Sequence, residues 1–172
     1  MKRLFIILFS MLWLAGCGVT ETGNPCPGGE CGELAGAPSS AEQNVYENAT
    51  YGVRITYPSD WSVAENAAGD SATFTSSGAP ATSAVVTFTR LDPPPASLPA
   101  YLAQQYPSQQ FNVCNTTSLS GFCFNDPGAG PSGGDAADFF FLNIDVLVHV
   151  QAEIFTSGEA QFYELLNGLS FL

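Results

Sequence analysis

Tyr51, Val53, Ile55 and Tyr57 alternate with Gly52, Arg54 and Thr56. That period of two predicts a strand with one buried face. Pro58-Ser59-Asp60 is turn chemistry, and Trp61 and Val63 then share one side of a second strand. Ala72-Thr73-Phe74-Thr75 reads as a short strand, and residues 84–91, with Val85-Val86-Thr87-Phe88-Thr89, as a strong one. Asp92-Pro93-Pro94-Pro95 ends it, because proline supplies no ladder donor. Ser97 is placed to cap a helix over Leu98–Gln105, with Pro99 in its first turn and Leu98, Tyr101 and Leu102 as its stripe. Residues 111–119 and 121–125 read as a hairpin, and residues 126–135 as a Gly/Pro loop. Residues 136–143 and 145–155 form a second hairpin with Asn143-Ile144 at its tip. Along its second strand Val146, Val148, Val150 and Ala152 point one way, while Asp145, Leu147, His149 and Gln151 point the other. Phe139-Phe140-Phe141-Leu142 is the most apolar run and is expected to be buried on both faces. Thr156 with Glu159 has capping-box spacing. The helix that follows carries Phe162, Leu165, Leu166 and Leu169 on one stripe and stops at Gly168. Strands dominate, helices are interspersed and most links are short. The expected class is α+β, an antiparallel sheet flanked by helices.

The first residues carry a different pattern. Met1-Lys2-Arg3 is positive, and residues 4–15 are apolar except for Ser10. This stretch is too short for an ordinary membrane span, which takes ~20 apolar residues, and fits a secretory signal. Leu14-Ala15-Gly16-Cys17 resembles the lipobox of bacterial lipoproteins. The resemblance implies cleavage before Cys17, diacylation of its thiol and anchorage in a bilayer. Gly18 rather than Asp after the cysteine points, in Gram-negative lipoproteins, to the outer membrane. The expected organisation is a signal peptide over 1–16, a Gly/Pro/Ser-rich disordered tether over 17–43 and a folded domain over 44–172.

Charge narrows the choice of partner. The 172 residues hold 4 Lys+Arg against 16 Asp+Glu. Cleavage would remove Lys2 and Arg3 and leave Arg54 and Arg90 as the sole cations, for a net charge of −14. A chain without clustered cations cannot neutralise phosphates, so nucleic acid is excluded as a partner. Electrostatic docking on anionic lipid is excluded on the same ground.

Cys17 aside, four cysteines remain: Cys26, Cys31, Cys114 and Cys123. Outside the cytosol they are expected to be oxidised. Three pairings are possible, and local spacing favours Cys26–Cys31 with Cys114–Cys123. A hairpin tip at Ser118-Leu119 would set residue 114 opposite 123, within disulfide reach. Their spacing is not that of a zinc site, and the single His149 lies elsewhere.

Chemistry-bearing motifs are few. There is no GxSxG, P-loop, HExxH or Rossmann fingerprint. His149 sits mid-strand, with Asp145 on the same face but ~13 Å along the strand. It reads as a partly covered sheet histidine. Asp126, Asp135 and Asp138 flank the Gly/Pro loop without the spacing of a calcium site. Asn48-Ala49-Thr50 and Asn115-Thr116-Thr117 match the glycosylation pattern, which in a bacterial lipoprotein arises by chance.

The segment from Tyr51 to Val63 contains a strand, a Tyr57-Pro58-Ser59-Asp60-Trp61 turn and a second strand. The chain ends on a helix leading into Leu166-Asn167-Gly168-Leu169-Ser170-Phe171. Both resemble the end motifs of the PsbP-like (Mog/PsbP) superfamily, over about residues 45–172. The resemblance implies an α/β/α sandwich around an antiparallel sheet, and a binding or assembly role without catalysis or cofactor. The functional expectation is a lipid-anchored envelope protein that binds a protein partner. The alternative is a carrier of a small apolar ligand held between sheet and helix.

Overall fold

The computed structural model describes residues 42–172. The signal, lipidation and most of the tether assigned above, with Cys17, Cys26 and Cys31, lie outside the described residues. Ten strands and two helices follow one another as β1 (Gln43–Asn48), β2 (Val53–Pro58), β3 (Ser62–Glu65), β4 (Ser71–Thr75), β5 (Ser83–Arg90), α1 (Leu98–Gln105), β6 (Asn112–Asn115), β7 (Ser120–Asp126), β8 (Asp135–Asn143), β9 (Val146–Ile154), α2 (Glu159–Asn167) and β10 (Leu169–Phe171). Seven form an antiparallel sheet in the order β3-β4-β5-β9-β8-β7-β6, and three form a small one, β1-β2-β10. The α+β antiparallel class is thus observed.

One face of the large sheet packs on α2 and the small sheet. Alternate residues Phe74, Val86, Phe88, Val148 and Val150 meet Val53 and Ile55 from β2, and Phe162, Leu165 and Leu166 from α2, in one core. Rings seal the two sheets together: Tyr57 lies 5.2 Å edge-on from Phe74, and Tyr51 stacks 5.6 Å from Phe88. On the opposite face α1 lays Leu98 and Leu102 over Phe140 and Leu147. The apolar run in β8 serves both sides, with Phe139 and Phe141 in the first core and Phe140 in the second.

Several local expectations are corrected. β1 joins the fold as an edge strand, although only Tyr46 and Asn48 of its residues turn inward. A single sheet was expected, yet β1, β2 and β10 form a second. The Cys hairpin pairs Cys114 with Gly121 and Asn112 with Cys123, not 114 with 123. Thr116 causes the longer loop: its hydroxyl accepts from the Leu119 and Ser118 amides at 2.9 and 3.3 Å. The two cysteines stand diagonally on one face, 5.7 Å apart at Cα, and are bonded. In the β8–β9 hairpin Asn143 pairs with Val146, so the tip is Ile144-Asp145, one residue beyond the expected one. Asp145 is held in that turn by Arg90 at 2.7 Å, and its carbonyl accepts from the Leu91 amide at 2.7 Å. The capping box does not form. Gly158, two residues after Thr156, is the N-cap; it has no side chain to bond, and it lies where a Cβ would overlap Thr82.

Candidate functional site

Sheet register assembles a cluster of polar and aromatic groups that crosses several elements. β8–β9 pairing sets Asp138 opposite Gln151 and Phe140 opposite His149. β5–β9 pairing sets Val85 opposite Gln151 and Thr87 opposite His149. Their neighbours Val86, Val148 and Val150 are fully buried on the α2 side, so these residues share the α1 side. α1 covers β7 and β8 and ends at Tyr106. Beyond it the face over β9, β5 and β4 carries half-buried Thr87 and Thr73, with Val85 and Gln151 exposed.

At the boundary the Asp138 carboxylate bonds His149 Nε2 at 2.6 Å and accepts from Gln151 at 3.2 Å. The imidazole stacks on Phe140 at 4.2 Å and 11°. Phe140 in turn meets Phe111 edge-on at 5.5 Å and Tyr106 at 5.6 Å. The Tyr106 phenol is pushed above its ordinary pKa, first by burial and then by Tyr101 and Asp138. It therefore stays neutral, able to donate and accept, while its side chain remains 40% exposed.

This arrangement fixes a ring and a carboxylate. His149 spends Nε2 on Asp138, and among the described residues no hydroxyl is hydrogen-bonded to its ring. Asp145, the same-strand acid, pairs with Arg90 instead. The partner Asp138 lies across the hairpin, where only the register could reveal it. The three loop acids do not converge. Asp135 accepts from the Gly128 amide at 2.8 Å, and Asp138 holds His149. The loop wraps Glu153, whose carboxylate takes the amides of Ser132 and Gly134 at 2.6 and 3.2 Å. Among the described residues no three His, Cys, Asp or Glu side chains gather as a metal site. The Asn48 amide is spent on Gly69 and Tyr51 backbone. Between sheet and helices Phe162, Leu165, Leu166 and Leu102 are buried.

No family model and no curated protein matches this chain. Solved structures do. A Bacteroides thetaiotaomicron protein superposes with a TM-score of 0.55 at 11% identity, covering 78% of this chain and 49% of its own. This chain thus spans about half the length of that protein. The solution structure of cyanobacterial PsbP (CyanoP) from Synechocystis gives a TM-score of 0.51 at 9% identity, covering 80% of this chain and 97% of the other. The motifs that suggested the likeness are neighbours in space. Leu169, Ser170 and Phe171 pair with Ile55, Arg54 and Val53, and the Thr56 amide donates to the Gly168 carbonyl at 3.0 Å. The described residues have the PsbP-like fold.

Proposed function

We propose that this chain is a lipid-anchored envelope protein whose PsbP-like domain binds a protein partner and catalyses nothing. The supporting observation is the rim of α1. There Tyr106, backed by Phe140 and the Asp138–His149 pair, borders a hydroxyl-rich sheet face that no helix of the described residues covers. A rigid, amphipathic tyrosine with a neutral phenol beside fixed polar groups is the composition of a protein-binding hot spot. The lipobox at Leu14-Ala15-Gly16-Cys17 supports the anchor.

In-cell crosslinking of the full chain, followed by affinity purification, tests the reading. A specific envelope protein is expected with the wild type and at least a fivefold lower yield with Tyr106→Ala. Recovery of no partner, or equal recovery with the variant, counts against it. The anchor is tested separately by metabolic labelling with palmitate. The label should be present in the wild type and lost in Cys17→Ser, and an unlabelled wild type removes the anchor from the proposal.

A further inference from the structure

A cavity of about 310 Å³ opens beside the C-terminal end of α2, away from the site above. It is lined by Gln43, Thr56, Thr117, Ser118, Glu164 and the segment from Asn167 to Ser170. Its walls are fixed. Gly168 is one of the lining residues and is pressed so closely on the Thr56 carbonyl that a Cβ could not fit. The 116–119 loop forms one side, tied to the helix end by the Thr117 amide, which donates to Asn167 Oδ1 at 3.1 Å, and by the Thr117 hydroxyl, which donates to the Asn167 carbonyl at 3.3 Å.

The electrostatics have one sign. The end of α2 is its electronegative end, with its last carbonyls partly spent: the Gly168 amide donates to those of Glu164, Leu165 and Leu166, the Thr117 hydroxyl to that of Asn167 and the Thr56 amide to that of Gly168. The last turn of α2 has no basic side chain, and it includes Glu164. The nearest cation along the small sheet is Arg54, opposite Ser170 in register, and Glu47 binds it at 2.6 Å. The other groups are hydroxyls and amides, which can accept hydrogen bonds from a donor-only ligand. The chain's own leader does not supply that ligand. It enters the domain at Gln43, and residues 18–42 contain four Glu and no Lys or Arg.

We infer that this cavity binds an organic cation, a primary ammonium or guanidinium group on a short apolar stem. The group is either a free amine or a Lys or Arg side chain of a partner. The second source rests on the binding function proposed above, and the site itself does not.

The test is an amide-resolved NMR titration of the full chain in non-ionic detergent with butylammonium and ethylguanidinium chloride. Sodium butyrate serves as the anionic counterpart. Saturable shifts are expected at Thr117, Ser118 and residues 167–170, with none there from butyrate. Glu164→Gln should weaken binding at least fivefold. Ser118→Asp, which adds charge at the mouth without touching the helix, should strengthen it at least twofold. No saturable shift, equal shifts from butyrate, or cation binding unchanged in both variants overturns the inference. A capped Gly-Lys-Gly peptide binding as well as butylammonium assigns the site to a partner side chain. Spermidine binding with the peptide excluded assigns it to a free amine, and both results uphold the cation site. A cation that binds while crosslinking recovers no partner leaves this site standing and removes the protein-binding function alone.

Discussion

Ile144 should be a residue whose removal stabilises the protein. It is the first of the two loop residues between β8 and β9, and its φ is +55°. Two-residue hairpin loops demand positive φ at that position so that the turn matches the twist of the strands, which is why glycine and asparagine are favoured there. For an L-residue the left-handed region costs roughly 1–2 kcal/mol, and a β-branched side chain is among the least suited to it. No packing offsets the cost, since Ile144 is 78% exposed. What holds the turn is Asp145, through Arg90 and the Leu91 amide. Ile144→Gly therefore releases the strain and gives back about 0.5–1 kcal/mol in the entropy of the unfolded chain. The net gain is about 0.5–1 kcal/mol, or about 2–4 °C in Tm. Ile144→Asn should gain a similar amount without the glycine entropy, whereas Ile144→Val, equally branched, should leave stability unchanged. Urea unfolding followed by tryptophan fluorescence reads this directly. The midpoint should rise for Gly and Asn at constant m-value. A midpoint at or below the wild type in both variants would refute the reasoning, because the strain would then not be stored in this residue.

Other outcomes follow from packing and charge. Gly168→Ala should cost at least about 2–3 kcal/mol in the same urea assay, since the added carbon meets the Thr56 carbonyl between two packed elements. An unchanged midpoint would mean that the helix end can shift. Replacing both Cys114 and Cys123 by Ala should cost up to about 2.7 kcal/mol, the loop-closure value for their sequence separation of 9. A reducing agent should reproduce the loss in the wild type and have no effect on the variant. Alkali should destabilise the domain. Burial, followed by the hydrogen bond to Glu65, pushes the Tyr46 phenol up to about 12, and burial pushes Tyr163 up as well. A raised folded pKa means that stability is intact below about 10, the unfolded value, and declines as pH climbs toward 12. Absorbance at 295 nm should show Tyr46 and Tyr163 titrating above the ordinary value of about 10, and Tyr46→Phe should flatten the decline.

The strand faces were legible in the sequence even where the register was not. Because side chains alternate, a register error of two residues moves partners along the strands without turning any of them over. Both hairpins erred in that way. The partner of Cys114 is residue 121 rather than 123, yet the two cysteines keep one face and can still bond. The tip of the β8–β9 hairpin lies at Ile144-Asp145 rather than Asn143-Ile144, yet Val148 and Val150 remain in the core and His149 remains outside it. The causes were out of reach of a local pattern. The Thr116 hydroxyl closes its own loop, and Arg90, 55 residues away, pulls Asp145 into the other. β1 was missed for a related reason. Of its six residues only Tyr46 and Asn48 turn inward, so its apolar signal is a single ring, and its place is fixed by pairing with β2.

Core positions announce themselves, because burial demands a repeated residue type: Phe162, Leu165, Leu166 and Leu169 are all fully buried, at the spacing their stripe predicts. The α1 rim has no such repetition. His149, Asp138, Gln151 and Tyr106 come from three elements, and each alone is an ordinary polar residue on a strand or after a helix. They become a cluster only once β8 lies beside β9 in one register and Pro107 has stopped α1 over Phe140. The cavity at the end of α2 depends still more on distant pairing. Its walls come from the first described strand, the Cys hairpin and the last helix, and the stop at Gly168 that reads locally as a helix terminator also serves to bring the helix end onto the Thr56 carbonyl. A residue chosen for close approach carries no chemistry of its own, so its sequence signature is the same whether it closes a helix or lines a cavity.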